Sequence, residues 1–317
     1  MRLLVFASGK GSNFEAMVKA SRSGYFHSKV VGLLCDKDCP AAEIAKANDI
    51  PVTVIKPKDY KDKEIYIDAL VSAAKGYSPD YIILAGYMRI IPSELLDAYP
   101  LKVLNVHPSL LPAFPGKDSI LRAWEAGVKT TGITVHFVND RLDQGPIIAQ
   151  ESLIMPDSLE KLEEEMHKIE HRIYPAAVKE LTEHPFDAVV VSKCLMGANS
   201  RYDGGNKYSK RAETFVKTFK GKVLEMCPEI EAGLSTPRPK INIINGKAIM
   251  DGKEDVTEKL NKACHRIMSE LSGSKKIIAI LKEKSPSCGV LNPKGLFATC
   301  ALEKFRNNIF IVSEEDL

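Results

Sequence analysis

The chain has 317 residues, 44% of them hydrophobic, and a formal net charge of +3. That is enough apolar material for two ordinary domains, and no apolar run approaches the ~20 residues needed to cross a bilayer as a helix. Seven cysteines, an odd number without scaffold spacing, argue against a disulfide-stapled secreted fold. Met1-Arg2 runs directly into Leu3-Leu4-Val5-Phe6 with nothing signal-like before it, so the expected compartment is the cytosol.

Taken in chain order, the first half alternates apolar strands with amphipathic helices. Leu3–Phe6, Val30–Leu34, Val52–Ile55, Tyr81–Leu84 and Val103–Val106 read as buried strands. Phe14–Ala20, Ala41–Ala47, Glu64–Ala74 and Ser119–Glu125 read as the helices between them. This alternation predicts an α/β fold, a Rossmann-like parallel-rich sheet with helices on both faces and ligands at the carboxyl ends of its strands. Ile133–Phe137 and Ile147–Leu153 add later strands, and Ser158 caps a long closing helix that runs to Leu181. His184-Pro185 breaks that helix, and Phe186–Val191 opens a second, smaller α/β domain. The expected domains are therefore 1–184 and 187–317, with no long linker between them and no internal repeat.

Charge is unevenly spread. Asp187 to Leu317 carries 22 Lys and Arg against 16 Asp and Glu, whereas the preceding residues carry 22 against 25. A basic second half permits contact with phosphate or nucleic acid. Its lysines are scattered rather than clustered, which favours a solvated surface over a nucleic-acid interface.

Three groups of residues carry chemistry in the first half. Gly9-Lys10-Gly11-Ser12-Asn13 joins the first strand to the first helix, where tight turns and free N–H groups bind anions. Asn105 and His107 are two residues apart, so in a strand they share one face. A carbonyl between them would meet two donors, the requirement for holding an oxyanion. Asp143, in Leu142-Asp143-Gln144-Gly145-Pro146, would set the charge and orientation of that imidazole. His167, Glu170 and His171 share a face of the closing helix, an arrangement open to a metal, a substrate contact or plain solvation.

The words around these residues resemble a known family. Leu104 to Pro112, Gly132-Ile133-Thr134-Val135-His136-Phe137-Val138 and Leu142 to Ile148 resemble the signature of the formyltetrahydrofolate-dependent formyltransferases. Ser8-Gly9-Lys10-Gly11-Ser12-Asn13 narrows the resemblance to the phosphoribosylglycinamide formyltransferases, over Met1 to about Leu181. The resemblance implies transfer of a formyl group from 10-formyltetrahydrofolate to the amine of phosphoribosylglycinamide, without metal or redox cofactor. It implies catalysis by Asn105, His107 and Asp143, and substrate binding by Gly11, Ser12, Asn13 and Glu170. It implies a folate pocket lined by Met88, Arg89, Ile90 and Ile91, with Asn105 also binding the folate. Lys63 stands where relatives often place an arginine near the folate and lacks that planar fork. A methionyl-tRNA formyltransferase would need a basic RNA-binding appendage, and a formyltetrahydrofolate hydrolase a regulatory domain before the first strand. Small-molecule substrates and no membrane are expected, and the sequence leaves room for a homodimer.

In the second half Cys194, Cys227 and Cys288 each follow an apolar strand and open a turn. Their spacing alone favours buried structural thiols, because no C-x-x-C pair is present. The words Val191 to Gly197, Met226-Cys227-Pro228-Glu229, Ser235 to Pro239 and Ser285-Pro286-Ser287-Cys288-Gly289 resemble the thiouracil desulfurases, over about Val189 to Glu315. That resemblance implies a 4Fe-4S cluster on the three cysteines, with one open iron that takes sulfur from a thiolated base. Two departures stand out: Val290–Gly295 is short, and Lys193 replaces a small residue beside Cys194. A non-catalytic cluster-bearing or redox-sensing module is the competing reading. Cys35 and Cys39 are expected to be ordinary strand and loop thiols, and Cys264 and Cys300 to lie in helix cores.

Overall fold

The computed structural model describes residues 1–290 and 294–317. The shortened stretch Val290–Gly295 therefore falls partly outside the described residues. The chain divides into two units, Met1–His184 and Pro185–Leu317.

In the first unit, β1 (Arg2–Ala7), β2 (Lys29–Cys35), β3 (Val52–Val54), β4 (Tyr81–Leu84), β5 (Val103–His107), β6 (Thr130–Phe137) and β7 (Ile147–Ile154) form one seven-stranded sheet in the order β3-β2-β1-β4-β5-β6-β7. Pairing is parallel from β3 to β5 and antiparallel for β5–β6 and β6–β7. The intervening helices are α1 (Ser12–Arg22), α2 (Pro40–Ala47), α3 (Lys63–Gly76), α4 (Ser93–Ala98), α5 (Ser119–Glu125) and α6 (Leu159–Glu183). The parallel-rich sheet follows the expectation from strand–helix alternation. Two short segments lie outside the strand–helix alternation read from the sequence: α4, six residues between Pro92 and Tyr99, and a 3-10 turn at Pro57–Asp59.

Sequence chemistry explains the ends of these helices. The Ser158 hydroxyl accepts from Lys161 N at 3.3 Å, and Asp62 accepts from Ile65 N at 2.9 Å, each satisfying an orphan donor of the first turn. Leu162, Met166, Ile169, Ile173, Tyr174, Ala177, Val178 and Leu181 are buried, a stripe at helical spacing that lays α6 onto the sheet. Tyr174 is fully buried, and its hydroxyl donates to the carbonyls of Leu84 at 3.1 Å and Leu104 at 2.8 Å. One phenol thus ties α6 to both β4 and β5.

β1 pairs with β2 on one side and β4 on the other, so the chain reverses direction across the sheet at β1–β4. A crevice opens beyond the strand ends at such a point. Ser8 follows β1, and its N–H donates to the Gly86 carbonyl beyond β4 at 3.2 Å.

The second unit holds a four-stranded, all-parallel sheet in the order β14-β13-β8-β9, made of β8 (Ala188–Ser192), β9 (Lys222–Met226), β13 (Ile277–Leu281) and β14 (Ile309–Ser313). β8 and β13 are buried at every position, the pattern of strands covered on both faces. A separate antiparallel sheet of β10 (Ile241–Ile244), β11 (Lys247–Met250) and β12 (Glu254–Asp255) follows the short helices α7 (Lys210–Thr218) and α8 (Pro228–Glu231). Helices α9 (Thr257–Glu270) and α10 (Leu296–Phe305) complete the unit. Cys264 lies buried on α9 and Cys300 half-buried on α10, both against the core that Ile277, Ala279 and Phe297 share.

Candidate functional site

The end of β5 carries the first cluster. Strand pairing sets Asn105 opposite His136 and His107 opposite Thr134 on β6. Asp143 sits in the loop after β6 at φ 53°, in the left-handed region. Its side chain is 8% exposed, and its Oδ2 lies 3.4 Å from His107 Nδ1. Oδ2 also accepts from the Gly116 N–H at 2.7 Å, which fixes the carboxylate. The other imidazole nitrogen, His107 Nε2, lies 2.9 Å from the Phe114 carbonyl. Both partners of the ring, a carboxylate and a carbonyl, are hydrogen-bond acceptors.

His136 is the member that sequence reasoning missed as a site residue. Its Nδ1 lies 2.8 Å from the Phe137 carbonyl, which assigns the ring proton to Nδ1. Burial pushes its pKa down, against the opposing pull of that carbonyl and of Asp143, so the ring is neutral. Nε2 is then an acceptor, and it receives Asn105 Nδ2 at 3.3 Å. The 3.8 Å approach of Asp143 Oδ1 to His136 Nε2 is a proximity and not an ion pair, because the ring carries no charge. The signal in the sequence was His136 two residues past Thr134 on a strand antiparallel to β5; only the register shows what it touches.

Around the β1–β4 crevice, Gly11 adopts φ 85° at the start of α1. A Cβ there would lie 2.8 Å from the Ala41 Cβ, so this position requires glycine on two counts. Ser12 is exposed on the first turn. Asn13 Nδ2 donates to Glu170 Oε2 at 3.0 Å, and its Oδ1 is buried without a protein partner. Glu170 is 6% exposed and also takes His167 Nδ1 at 3.4 Å. That contact raises the His167 pKa, burial opposing it. His171 stacks beside His167 at 6.4 Å between ring centroids; burial lowers its pKa, and the charge of Glu170 opposes that. The structure thus brings Gly11, Asn13 and Glu170 to one place.

Met88, Arg89, Ile90 and Ile91 form an irregular segment between β4 and α4. Met88 and Ile90 are 71% and 84% exposed, whereas Ile91 is buried. Two bonds anchor the segment: Met88 N donates to the Ser8 hydroxyl at 2.9 Å, and Arg89 Nε to Asp36 Oδ2 at 2.8 Å. Two large apolar side chains held in solvent by fixed backbone suit a flat apolar ligand. Lys63 is exposed at the first turn of α3.

In the second unit, Cys194 follows β8, Cys227 follows β9 and Cys288 lies beyond β13, all at the carboxyl edge of the parallel sheet. All three line one cavity of about 500 Å³ and are at most 8% exposed. Burial pushes each thiol up, Cys227 to about 12 with Glu229 adding to it. Cys227 Sγ donates to Glu229 Oε2 at 3.3 Å. Arg238 approaches Glu229 at 3.8 Å, both buried, and donates to the Ser200 carbonyl at 3.1 Å. Lys282 pairs with Glu314 at 2.6 Å, and Lys193 with Glu231 at 3.2 Å. The Ser285 hydroxyl accepts from Cys288 N at 3.1 Å and so shapes the turn that presents this thiol. Among the described residues no three His, Cys, Asp or Glu side chains are gathered closely enough for a single metal ion. No helix among them is long and apolar enough to cross a membrane.

Comparison with known proteins agrees with this division. Residues 189–309 match the family described as 2-thiouracil desulfurase. Residues 1–178 match the family described as Formyl transferase. The phosphoribosylglycinamide formyltransferase of Bacillus subtilis is 44% identical over 183 residues, covering 57% of this chain and 94% of that protein. Among solved structures, glycinamide ribonucleotide transformylase 1 from Geobacillus kaustophilus is 45% identical with a TM-score of 0.55, covering 57% of this chain and 97% of that one. The enzyme of the same name from Symbiobacterium toebii is 36% identical with a TM-score of 0.57, covering 59% and 89%. With residues 1–178 matched, more than half of its length, the chain belongs to the formyl transferase family.

Proposed function

We propose that residues 1–184 transfer a formyl group from 10-formyltetrahydrofolate to the amine of 5′-phosphoribosylglycinamide. The observation that carries this is the convergence of Asn105, His107 and Asp143, with both ring nitrogens of His107 on acceptors. Relatives that bear this activity in their names span nearly their full length on this chain.

The amine nitrogen bonds to the formyl carbon, and the carbonyl electron pair moves to oxygen. Asn105 Nδ2 and a His107 N–H stabilise that oxyanion. For this the His107 N–H on Phe114 turns toward the formyl oxygen; catalytic hydrogen bonds commonly realign when substrate binds. Collapse breaks the bond to folate N10, which receives the proton the amine gives up. Asp143, buried and fixed by the Gly116 N–H, is the carboxylate placed to move that proton. The substrate phosphate binds the N–H groups of Gly11, Ser12 and Asn13 and the Ser12 hydroxyl. The buried Asn13 Oδ1 and Glu170 receive the ribose or glycinamide hydroxyl and amine. Met88, Arg89, Ile90, Ile91 and Lys63 take the folate. Formation of formylated phosphoribosylglycinamide from purified protein tests the reading, and a protein that binds both substrates yet forms no product would sink it.

For residues 187–317 we propose a 4Fe-4S cluster on Cys194, Cys227 and Cys288 and removal of sulfur from a thiolated base or nucleotide. Three thiols around one cavity are a sulfur-only donor set, which suits iron–sulfur binding. A cluster spreads its ligands over several irons, so it does not need the tight gathering a single ion demands. When bound, it would supply an iron without a protein ligand, able to take sulfur. The chain's own part is to surrender three buried thiol protons, hold Cys227 through Glu229, and set Cys288 through Ser285. Anaerobic iron and sulfide analysis, followed by uracil release from 2-thiouracil, tests this. A cluster without desulfuration would leave a cluster-bearing or redox-sensing module.

A further inference from the structure

Cys35 and Cys39 are not isolated thiols. Cys39 Sγ donates to Cys35 Sγ at 3.4 Å. Cys35 is buried at the end of β2, and Cys39 is half-buried just before α2. The pair therefore sets a partly exposed cysteine against a buried one placed to resolve it, the arrangement of reversible redox cysteines. Burial, with Cys39 and Asp36 next, pushes the Cys35 thiol up, so Cys39 reacts first and Cys35 second.

The geometry decides which side must move. A disulfide needs its sulfurs at about 2.0 Å, well inside the present separation. Cys35 is paired to Ala7 of β1 and Val54 of β3, and its carbonyl accepts from Ile55 N at 2.8 Å. It is held by strands on both sides, so the displacement falls on Cys39 and the start of α2. That start is packed on the glycine loop. Ala41 N donates to the Gly9 carbonyl at 3.3 Å, and Ala41 fills the space where Gly11 has no Cβ.

We propose that Cys35 and Cys39 form a reversible disulfide by exchange with a low-molecular-weight disulfide, and that closure shifts Ala41 and weakens anion binding at Gly11–Asn13. The step balances without another reactant. Cys39 thiolate attacks one sulfur of the small disulfide and releases one small thiolate. The Cys35 thiol then attacks Cys39 Sγ, its proton passing to the departing second small thiolate, so two protein thiols are oxidised and one small disulfide is reduced to two thiols. The effect on anion binding rests on the phosphate-loop reading above.

The test uses the full chain, incubated anaerobically with oxidised glutathione. Lys37 lies between the two cysteines, so trypsin yields residues 30–37 and 38–46 as a cross-linked peptide pair only if the bond has formed. Calorimetry with phosphoribosylglycinamide should show at least a roughly 5-fold weaker Kd in the oxidised protein, since small misplacements at a binding loop are costly. Dithiothreitol should restore it, and Cys39→Ser should bind normally and resist the treatment. Absence of the linked peptides, or linked peptides with unchanged Kd, overturns the proposal. A reduced protein that binds phosphoribosylglycinamide but makes no product overturns the formyl-transfer reading alone.

Discussion

The side chain of Asn105 donates through Nδ2 to Nε2 of His136, 3.3 Å away on the antiparallel neighbour strand. His136 can accept only because burial keeps it neutral and its proton sits on Nδ1 toward Phe137. The buried histidine thereby fixes which way the amide points. An amide turned by half a rotation would present oxygen, and not N–H, to a developing oxyanion.

His136→Leu should therefore lower kcat roughly 10-fold or more, the loss of an oriented donor, while KM for both substrates changes little. Asn105 remains in place, so the effect is one of positioning. Equal loss in kcat and in substrate affinity would point instead to a general packing defect.

His107→Ala and Asp143→Asn should each reduce formyl transfer by at least ~100-fold. The two act as one unit through the 3.4 Å contact, so the double variant should be little worse than either single one. Additive losses in steady-state kinetics would separate their roles.

Asn13→Ala should raise the Kd for phosphoribosylglycinamide about 10-fold and leave folate binding alone, because its amide faces Glu170. Loss of folate affinity in the same titration would reassign the loop.

His167 is raised above its ordinary value near 6.5 by Glu170. A raised pKa stabilises the folded state fully below the ordinary value, and that contribution is lost as pH rises through the raised one. Glu170→Gln should bring the His167 titration, followed by NMR, back toward 6.5, and wild type should lose its stability advantage over this variant as pH climbs through that window. An unmoved titration would mean that the 3.4 Å contact does not persist in solution.

Tyr174→Phe should destabilise the first unit by about 1–2 kcal/mol, the worth of a buried hydroxyl that two carbonyls accept. Denaturant unfolding measures it, and a change below a few tenths would show that the carbonyls find other donors.

The periodic features were legible in the sequence. Strands such as Leu3–Phe6 and Tyr81–Leu84 are continuous apolar runs, and α6 shows its buried stripe and its Ser158 cap in the residue order itself. These are local properties, fixed within a few residues by side-chain period and capping chemistry. Asn105 and His107 sharing a face follows from the two-residue repeat of a strand in the same way. Tertiary structure decided the rest. The contact of Asn105 with His136 depends on the register of β5 against β6, 31 residues apart in the chain. The Cys35–Cys39 approach depends on how the start of α2 packs against the glycine loop. Gathering Cys194, Cys227 and Cys288 around one cavity depends on β9 and β13 both lying beside β8. Register and strand order are set by the packing of whole layers, so no local pattern encodes them.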